Sequence, residues 1–142
     1  MKPRSASRNM RGQPPTGSRR KALLVVEDPQ SFQFCFNTLE KYGYRVRVCD
    51  SYQEGLRCLA GEVFDFVMVS QGTPNFEGSC VLKRATEINR SLPVLVVARS
   101  LDMGCYLEAM QLGAVDYLLE PLTPSDIGRV LENFRPCQSP MA

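Results

Sequence analysis

Residues 64 to 78 read Phe64-Asp65-Phe66-Val67-Met68-Val69-Ser70-Gln71-Gly72-Thr73-Pro74-Asn75-Phe76-Glu77-Gly78. An apolar run of strand length, Phe64 to Val69, stops at a serine and gives way to a loop carrying Gly72, Pro74 and Gly78. Its nearly continuous apolar character predicts a parallel strand covered on both faces. Ala22 to Val26 and Val94 to Ala98 read the same way, and Asp116 to Leu119 is a shorter strand candidate. Tyr44 to Val48 alternates apolar with charged residues, so one of its faces meets solvent and it is placed at the sheet edge.

Between these runs the hydrophobic period changes. Phe32, Cys35, Phe36 and Leu39 fall at i, i+3, i+4, i+7, and Ile127, Val130, Leu131 and Phe134 repeat that spacing, which predicts two amphipathic helices packed on a sheet. Ser51-x-x-Glu54 is a capping box, Thr123-Pro124 is an N-cap followed by proline at the first helical position, and Gly43, Gly61 and Gly113 stand where helices end. The order is βα five times over. Five such units in about 115 residues imply an α/β domain with an open, doubly wound parallel sheet and helices on both faces. The functional crevice of such a sheet lies at the carboxyl ends of its strands.

Composition bounds the chemistry. Of 142 residues 44% are hydrophobic and 23% charged, and there is neither His nor Trp. That supports one globular domain with a tail, and it removes Ser-His and Cys-His catalysis and histidine phosphotransfer from this chain. No apolar run approaches the roughly 20 residues that span a bilayer, and the N-terminus lacks the apolar core of a secretion signal, so a cytoplasmic protein is expected. The six cysteines, Cys35, Cys49, Cys58, Cys80, Cys105 and Cys137, show no Cys-x-x-Cys spacing and read as small hydrophobes in a reducing compartment.

The net charge of +2 hides an asymmetry: residues 1 to 21 carry seven bases and no acid, leaving 10 of the 17 bases against all 15 acids in the rest. Residues 1–20 are rich in Pro, Gly and Ser and are expected to form a flexible cationic tail, either a contact for nucleic acid or anionic lipid or simply solvated. The folded body is assigned to 21–135 and a short irregular tail to 136–142.

The strand ends to read are Glu27 with Asp28, Ser70, Ala98 with Arg99, and Glu120 with Pro121. Four stretches carry a resemblance: Leu24-Val25-Val26-Glu27-Asp28, Val67 to Gly78, Leu92 to Ala98, and Gly113 to Pro121. In order and spacing they are similar to the response-regulator receiver domain, the flavodoxin-like module that accepts a phosphoryl group from a histidine kinase. The resemblance implies a five-stranded sheet of order 2-1-3-4-5 and a cis Glu120-Pro121 bond. Three departures accompany it. Ser70 stands where the family has the acceptor aspartate, Ala98 where it has a Thr or Ser that binds phosphoryl oxygen, and Glu120 where it has a lysine.

An acyl phosphate forms only on a carboxylate, and no base accompanies Ser70 in its motif. Glu27, Asp28 and Glu120 together would reject an anion, while Glu27 and Asp28 remain candidate ligands for Mg²⁺. Arg99 is read as an internal cation folding over these carboxylates, with a solvent-facing side chain as the alternative. Tyr117 occupies the family's switch position and, with no hydroxyl at Ala98, is expected to rest in one fixed rotamer on the surface between the fourth helix and the fifth strand, with an ordinary half-buried tyrosine as the alternative. The fourth helix has two apolar stripes, Met103, Tyr106, Leu107 and Met110 against Leu101, Cys105, Ala109 and Leu112. Leu101, Cys105, Ala109, Leu112 and Tyr117 are assigned to a partner or homodimer face on the side of the fourth helix, fifth strand and fifth helix.

The resulting expectation is a non-enzymatic receiver-like module, not phosphorylated on Asp, that acts by protein interaction or dimerisation. The alternative is a phosphorelay regulator that keeps Mg²⁺ or takes phosphate elsewhere. Glu27-Asp28-Pro29 after the first strand, in place of a Gly-rich loop, argues against a nucleotide-cofactor enzyme.

Overall fold

In the computed structural model residues 20–26 and 29–133 are described. Five strands and five helices alternate along them: β1 (Arg20–Val25), α1 (Pro29–Lys41), β2 (Tyr44–Cys49), α2 (Tyr52–Gly61), β3 (Phe66–Ser70), α3 (Ser79–Ile88), β4 (Val94–Ala98), α4 (Met103–Leu112), β5 (Asp116–Leu119) and α5 (Pro124–Asn133). All strand pairs are parallel, in the order β2-β1-β3-β4-β5. The alternating strand, β2, is an edge, with Arg45 exposed and Tyr44 and Cys49 buried at its ends. Phe64 lies outside β3, and β1 begins at Arg20, inside the stretch assigned to the basic tail. Residues 1–19, Phe134 and the C-terminal segment lie outside the described residues.

Alternate strand residues feed two cores. Leu23, Val25, Val67, Val69, Val94 and Val96 point toward α2, α3 and α4, whereas Leu24, Phe66, Met68, Leu95 and Val97 point toward α1 and α5. This two-sided burial is why β1, β3 and β4 are apolar at almost every position.

The helix ends obey their local chemistry. The Ser51 hydroxyl accepts from the Glu54 amide at 3.1 Å, starting α2, and Asp102 Oδ1 accepts from the Cys105 amide at 2.9 Å, starting α4. At α5 the Thr123 hydroxyl accepts from the Asp126 amide at 3.2 Å and the Thr123 amide donates to the Asp126 carboxylate at 2.9 Å. Gly113 closes α4 at φ 104°, a left-handed cap that favours glycine. The Glu120-Pro121 bond is cis.

Candidate functional site at the carboxyl ends of the strands

Strand register sets the site. Ser70 pairs with Val97 and Ala98 with Leu119, so Ser70, Ala98 and Glu120 sit at neighbouring strand ends. The Glu120 amide donates to the Ala98 carbonyl at 2.8 Å and the Gln71 amide to the Val97 carbonyl at 2.8 Å, extending the ladder one residue past β3 and β5. Ala98 is buried and Ser70 half-buried. Glu27 and Asp28, assigned to this crevice and to Mg²⁺, lie outside the described residues.

Ser70 is held by Tyr52. The Tyr52 hydroxyl lies 3.2 Å from the Ser70 carbonyl oxygen and 2.9 Å from Ser70 Oγ. A phenol has one proton: donated to the carbonyl, it leaves the Ser70 hydroxyl to donate back. The chain has no histidine to take the serine proton.

Arg99 and Glu120 line one cavity of about 490 Å³, together with Gln30, Phe34 and Cys35 of α1 and Pro121 and Leu122 after β5. Its wall includes the Cys35 thiol, which burial first and the Glu120 charge second push up to about 12. Cys35 is therefore a neutral thiol at ordinary pH and a slow nucleophile.

The β3–α3 loop is stitched to itself. The Glu77 carboxylate accepts from the Thr73 hydroxyl at 2.8 Å and from the Thr73 amide at 2.7 Å, which holds it below the usual carboxylate range. Phe76, at φ 58°, turns its ring into the core and is 2% exposed. Gly78 is required by space: a Cβ there would lie 2.1 Å from the Ser70 carbonyl oxygen.

Tyr117 is where the structure departs most from expectation. It is buried, and its hydroxyl donates to Gln71 Oε1 and accepts from the Asp102 amide at 3.3 Å. Its ring meets that of Tyr106 edge-on, with centroids 5.6 Å apart. Burial is the main cause that raises the Tyr117 phenol above its ordinary value. Gln71 is itself buried and donates its amide NH₂ to the Thr73 carbonyl at 3.3 Å. The Cys105 thiol, pushed up to about 11 chiefly by burial, donates to the Pro74 carbonyl at 3.3 Å. The β3–α3 loop, the start of α4 and β5 are thereby tied into one hydrogen-bonded unit.

The assignment of Leu101, Cys105, Ala109, Leu112 and Tyr117 to an exposed partner face is corrected by burial. Cys105, Ala109 and Tyr117 are buried in the core and Leu112 packs against it; of the five only Leu101 is exposed. The exposed stripe of α4 is the opposite one, with Met103 57%, Leu107 52% and Met110 38% exposed. Both stripes are apolar, so periodicity could not choose between them. The small side chains of Cys105 and Ala109 let the helix backbone approach the sheet, where Met103 or Leu107 would not fit.

Two residues central to this geometry, Gln71 and Tyr52, were not singled out by the sequence. Gln71 sits between a strand and Gly72, where a polar side chain reads as exposed loop. Tyr52 follows a capping serine, where an aromatic reads as packing.

The sheet order and the position of the crevice define a doubly wound α/β domain of the flavodoxin-like kind. The response regulator receiver domain family matches residues 23–132, and the chain belongs to that family. It is 30% identical over 111 residues to the transcriptional regulatory protein ZraR of Escherichia coli K12, covering 78% of this chain and 25% of that protein. It is 29% identical over 112 residues to the transcriptional regulatory protein FixJ of Bradyrhizobium diazoefficiens, covering 78% of this chain and 55% of the relative. The chain thus spans about a quarter of the former and about half of the latter. A CheY-like receiver domain protein of Methanospirillum hungatei shares the fold with a TM-score of 0.75 at 23% identity, covering 82% of this chain and 94% of that one. No helix among the described residues is long and apolar enough to cross a membrane.

Proposed function

We propose that this receiver domain of the two-component type works without phosphorylation on aspartate, as a protein-interaction or self-association module whose switch residue is held by hydrogen bonds within the fold. The observation that carries the reading is the pairing of Ser70 with Tyr52 and of Tyr117 with Gln71. Ser70 offers a hydroxyl already engaged with a phenol where an acyl phosphate would need a carboxylate. Ala98 has no hydroxyl to report a phosphoryl oxygen, and Glu120 adds negative charge where the family's lysine would neutralise it. Tyr117, which a hydroxyl in place of the Ala98 methyl would have coupled to phosphate, has its acceptor in Gln71. Arg99, on the wall it shares with Glu120, provides positive charge at the crevice in place of that lysine.

The stripe of Met103, Leu107 and Met110 on α4 is the surface we assign to the partner or second copy. A basic tail contact with nucleic acid rests on the composition of residues 1–20 alone.

The test is incubation of the whole chain with acetyl phosphate and Mg²⁺, read by intact mass and by light scattering after gel filtration. Unchanged mass and unchanged oligomeric state are expected. An adduct one phosphoryl group heavier, labile to hydroxylamine as acyl phosphates are, would establish the alternative of an orthodox phosphorelay regulator. Met103→Glu with Leu107→Glu should weaken concentration-dependent association while leaving the monomer folded.

A further inference from the structure

We infer that Cys49 and Cys58 form an oxidisable dithiol, a site of reversible disulfide modification at the sheet edge. The two sulfurs lie 3.4 Å apart, closer than van der Waals contact, although nine residues separate them in sequence. Cys49 ends β2 and Cys58 occupies the second turn of α2, which packs over that strand. The other thiols of this side of the core are used differently: Cys105 donates to the Pro74 carbonyl and Cys80 to the Glu77 carbonyl, each at 3.3 Å. Only a shift of about 1.4 Å brings the paired sulfurs to bonding distance, within the reach of a χ1 adjustment on a helix facing an edge strand.

Access and charge set the order of events. Cys58 is 8% exposed against 1% for Cys49, so a small oxidant meets Cys58 first. Arg47 of β2, whose guanidinium is bound to Glu62, and Glu54 of α2 are the charged groups near enough to act on Cys49, with opposite signs. With a peroxide as oxidant, the Cys58 sulfur attacks one peroxide oxygen, the O–O bond breaks, and Cys58 becomes a sulfenic acid with release of water. The Cys49 sulfur then attacks Cys58 Sγ and expels hydroxide, which takes the Cys49 proton and leaves as a second water. Two thiols and one hydrogen peroxide give one disulfide and two waters. Burial pushes the Cys49 thiol up to about 12, which makes its attack slow, so the pair resists casual oxidation and closes only once Cys58 carries the sulfenic acid as an electrophile 3.4 Å away. The resulting bond would fasten the end of β2 to α2, three residues from the Tyr52 that holds Ser70.

The test uses the whole folded chain treated with hydrogen peroxide, quenched, and alkylated with N-ethylmaleimide in denaturant. Two fewer maleimide adducts than in the reduced protein are expected, restored by dithiothreitol. Trypsin cuts after Arg47 and Arg57, placing Cys49 and Cys58 on separate peptides, and these should be recovered joined, in the wild-type chain and in Cys80→Ser alike. The same treatment of urea-unfolded chain should give a several-fold lower yield of that pair. Full maleimide labelling of Cys49 and Cys58 while other cysteines oxidise, or equal yields from folded and unfolded chain, would overturn the inference.

Discussion

Tyr117→Phe tests the hydrogen-bonded unit at its centre. The substitution keeps the ring and its edge-on contact with Tyr106 and removes one oxygen, which donates to Gln71 Oε1 and accepts from the Asp102 amide. The site is buried, so the Gln71 carbonyl oxygen and the Asp102 N–H lose a partner where water enters poorly. Leaving a buried polar group unpaired costs about 1–3 kcal/mol, and the midpoint of the range, about 2 kcal/mol, is expected because the Asp102 bond is long. At about 4 °C per kcal/mol for a domain of this size, the melting temperature should fall by about 8 °C. Gln71→Met, close in shape, removes the acceptor from the other side and also the bond from its amide to the Thr73 carbonyl. Urea titration of both single variants and the double variant closes a thermodynamic cycle. Because the Tyr117–Gln71 bond is lost only once, the double variant should be more stable than the sum of the singles predicts, by about 1 kcal/mol. Additivity within about 0.3 kcal/mol, with unchanged m-values, would show that Gln71 does not hold Tyr117 and would remove the support for a switch set by the fold.

The same phenol gives a pH dependence. Burial raises its value in the folded state above the unfolded one of about 10, so its contribution to stability is intact below that pH and is lost as pH rises through the folded value. Stability of the wild type should therefore decline more steeply above about pH 10 than that of Tyr117→Phe, measured by chemical denaturation at a series of alkaline pH values. On the acid side, the Glu62 carboxylate is held below its ordinary range by bonds from Lys21 at 2.8 Å and from Arg47. Its contribution is present above the unfolded value of about 4.3 and disappears as pH falls through the folded one, so wild type and Glu62→Gln should differ slightly at neutral pH and converge on acidification. Gly78→Ala places a methyl group 2.1 Å from the Ser70 carbonyl oxygen, against backbone that cannot step aside; a loss of about 3 kcal/mol or more is expected in urea denaturation, at the upper end for overpacked sites. On α4, Ala109→Leu should cost about 1–3 kcal/mol through overpacking, whereas Leu107→Ser should change stability by less than about 0.5 kcal/mol; the reverse order would mean the helix presents its other stripe to the core.

What could be read from residues alone follows from the range of the physics. The frame of the sheet was legible because β1, β3 and β4 are buried on both faces and advertise this within five or six residues, while Arg45 and Arg47 mark β2 as an edge within the same span. Ser70, Ala98 and Glu120 could be placed at one crevice because strand ends in a parallel sheet are necessarily neighbours. Three kinds of information were out of reach. The orientation of α4 depends on which of two apolar stripes has the smaller side chains, a packing question that period cannot answer. The Cys49–Cys58 contact depends on the angle at which α2 crosses the edge strand. The Gln71–Tyr117 bond joins residues 46 apart, and nothing local to either shows it.

That last bond bears directly on the function proposed for the strand ends. On the proposed reading, a pocket without the family's carboxylate, hydroxyl and ammonium group would leave a buried tyrosine hydroxyl in need of an acceptor, and an unpaired phenol in a core tends to swing out to water. Gln71 supplies the acceptor from the loop that follows the strand of Ser70, one residue beyond it. On that reading Tyr117 stays inside whatever the occupancy of the crevice, and the exposed stripe of Met103, Leu107 and Met110 lies on a helix whose first turn is tied to the same unit through Asp102.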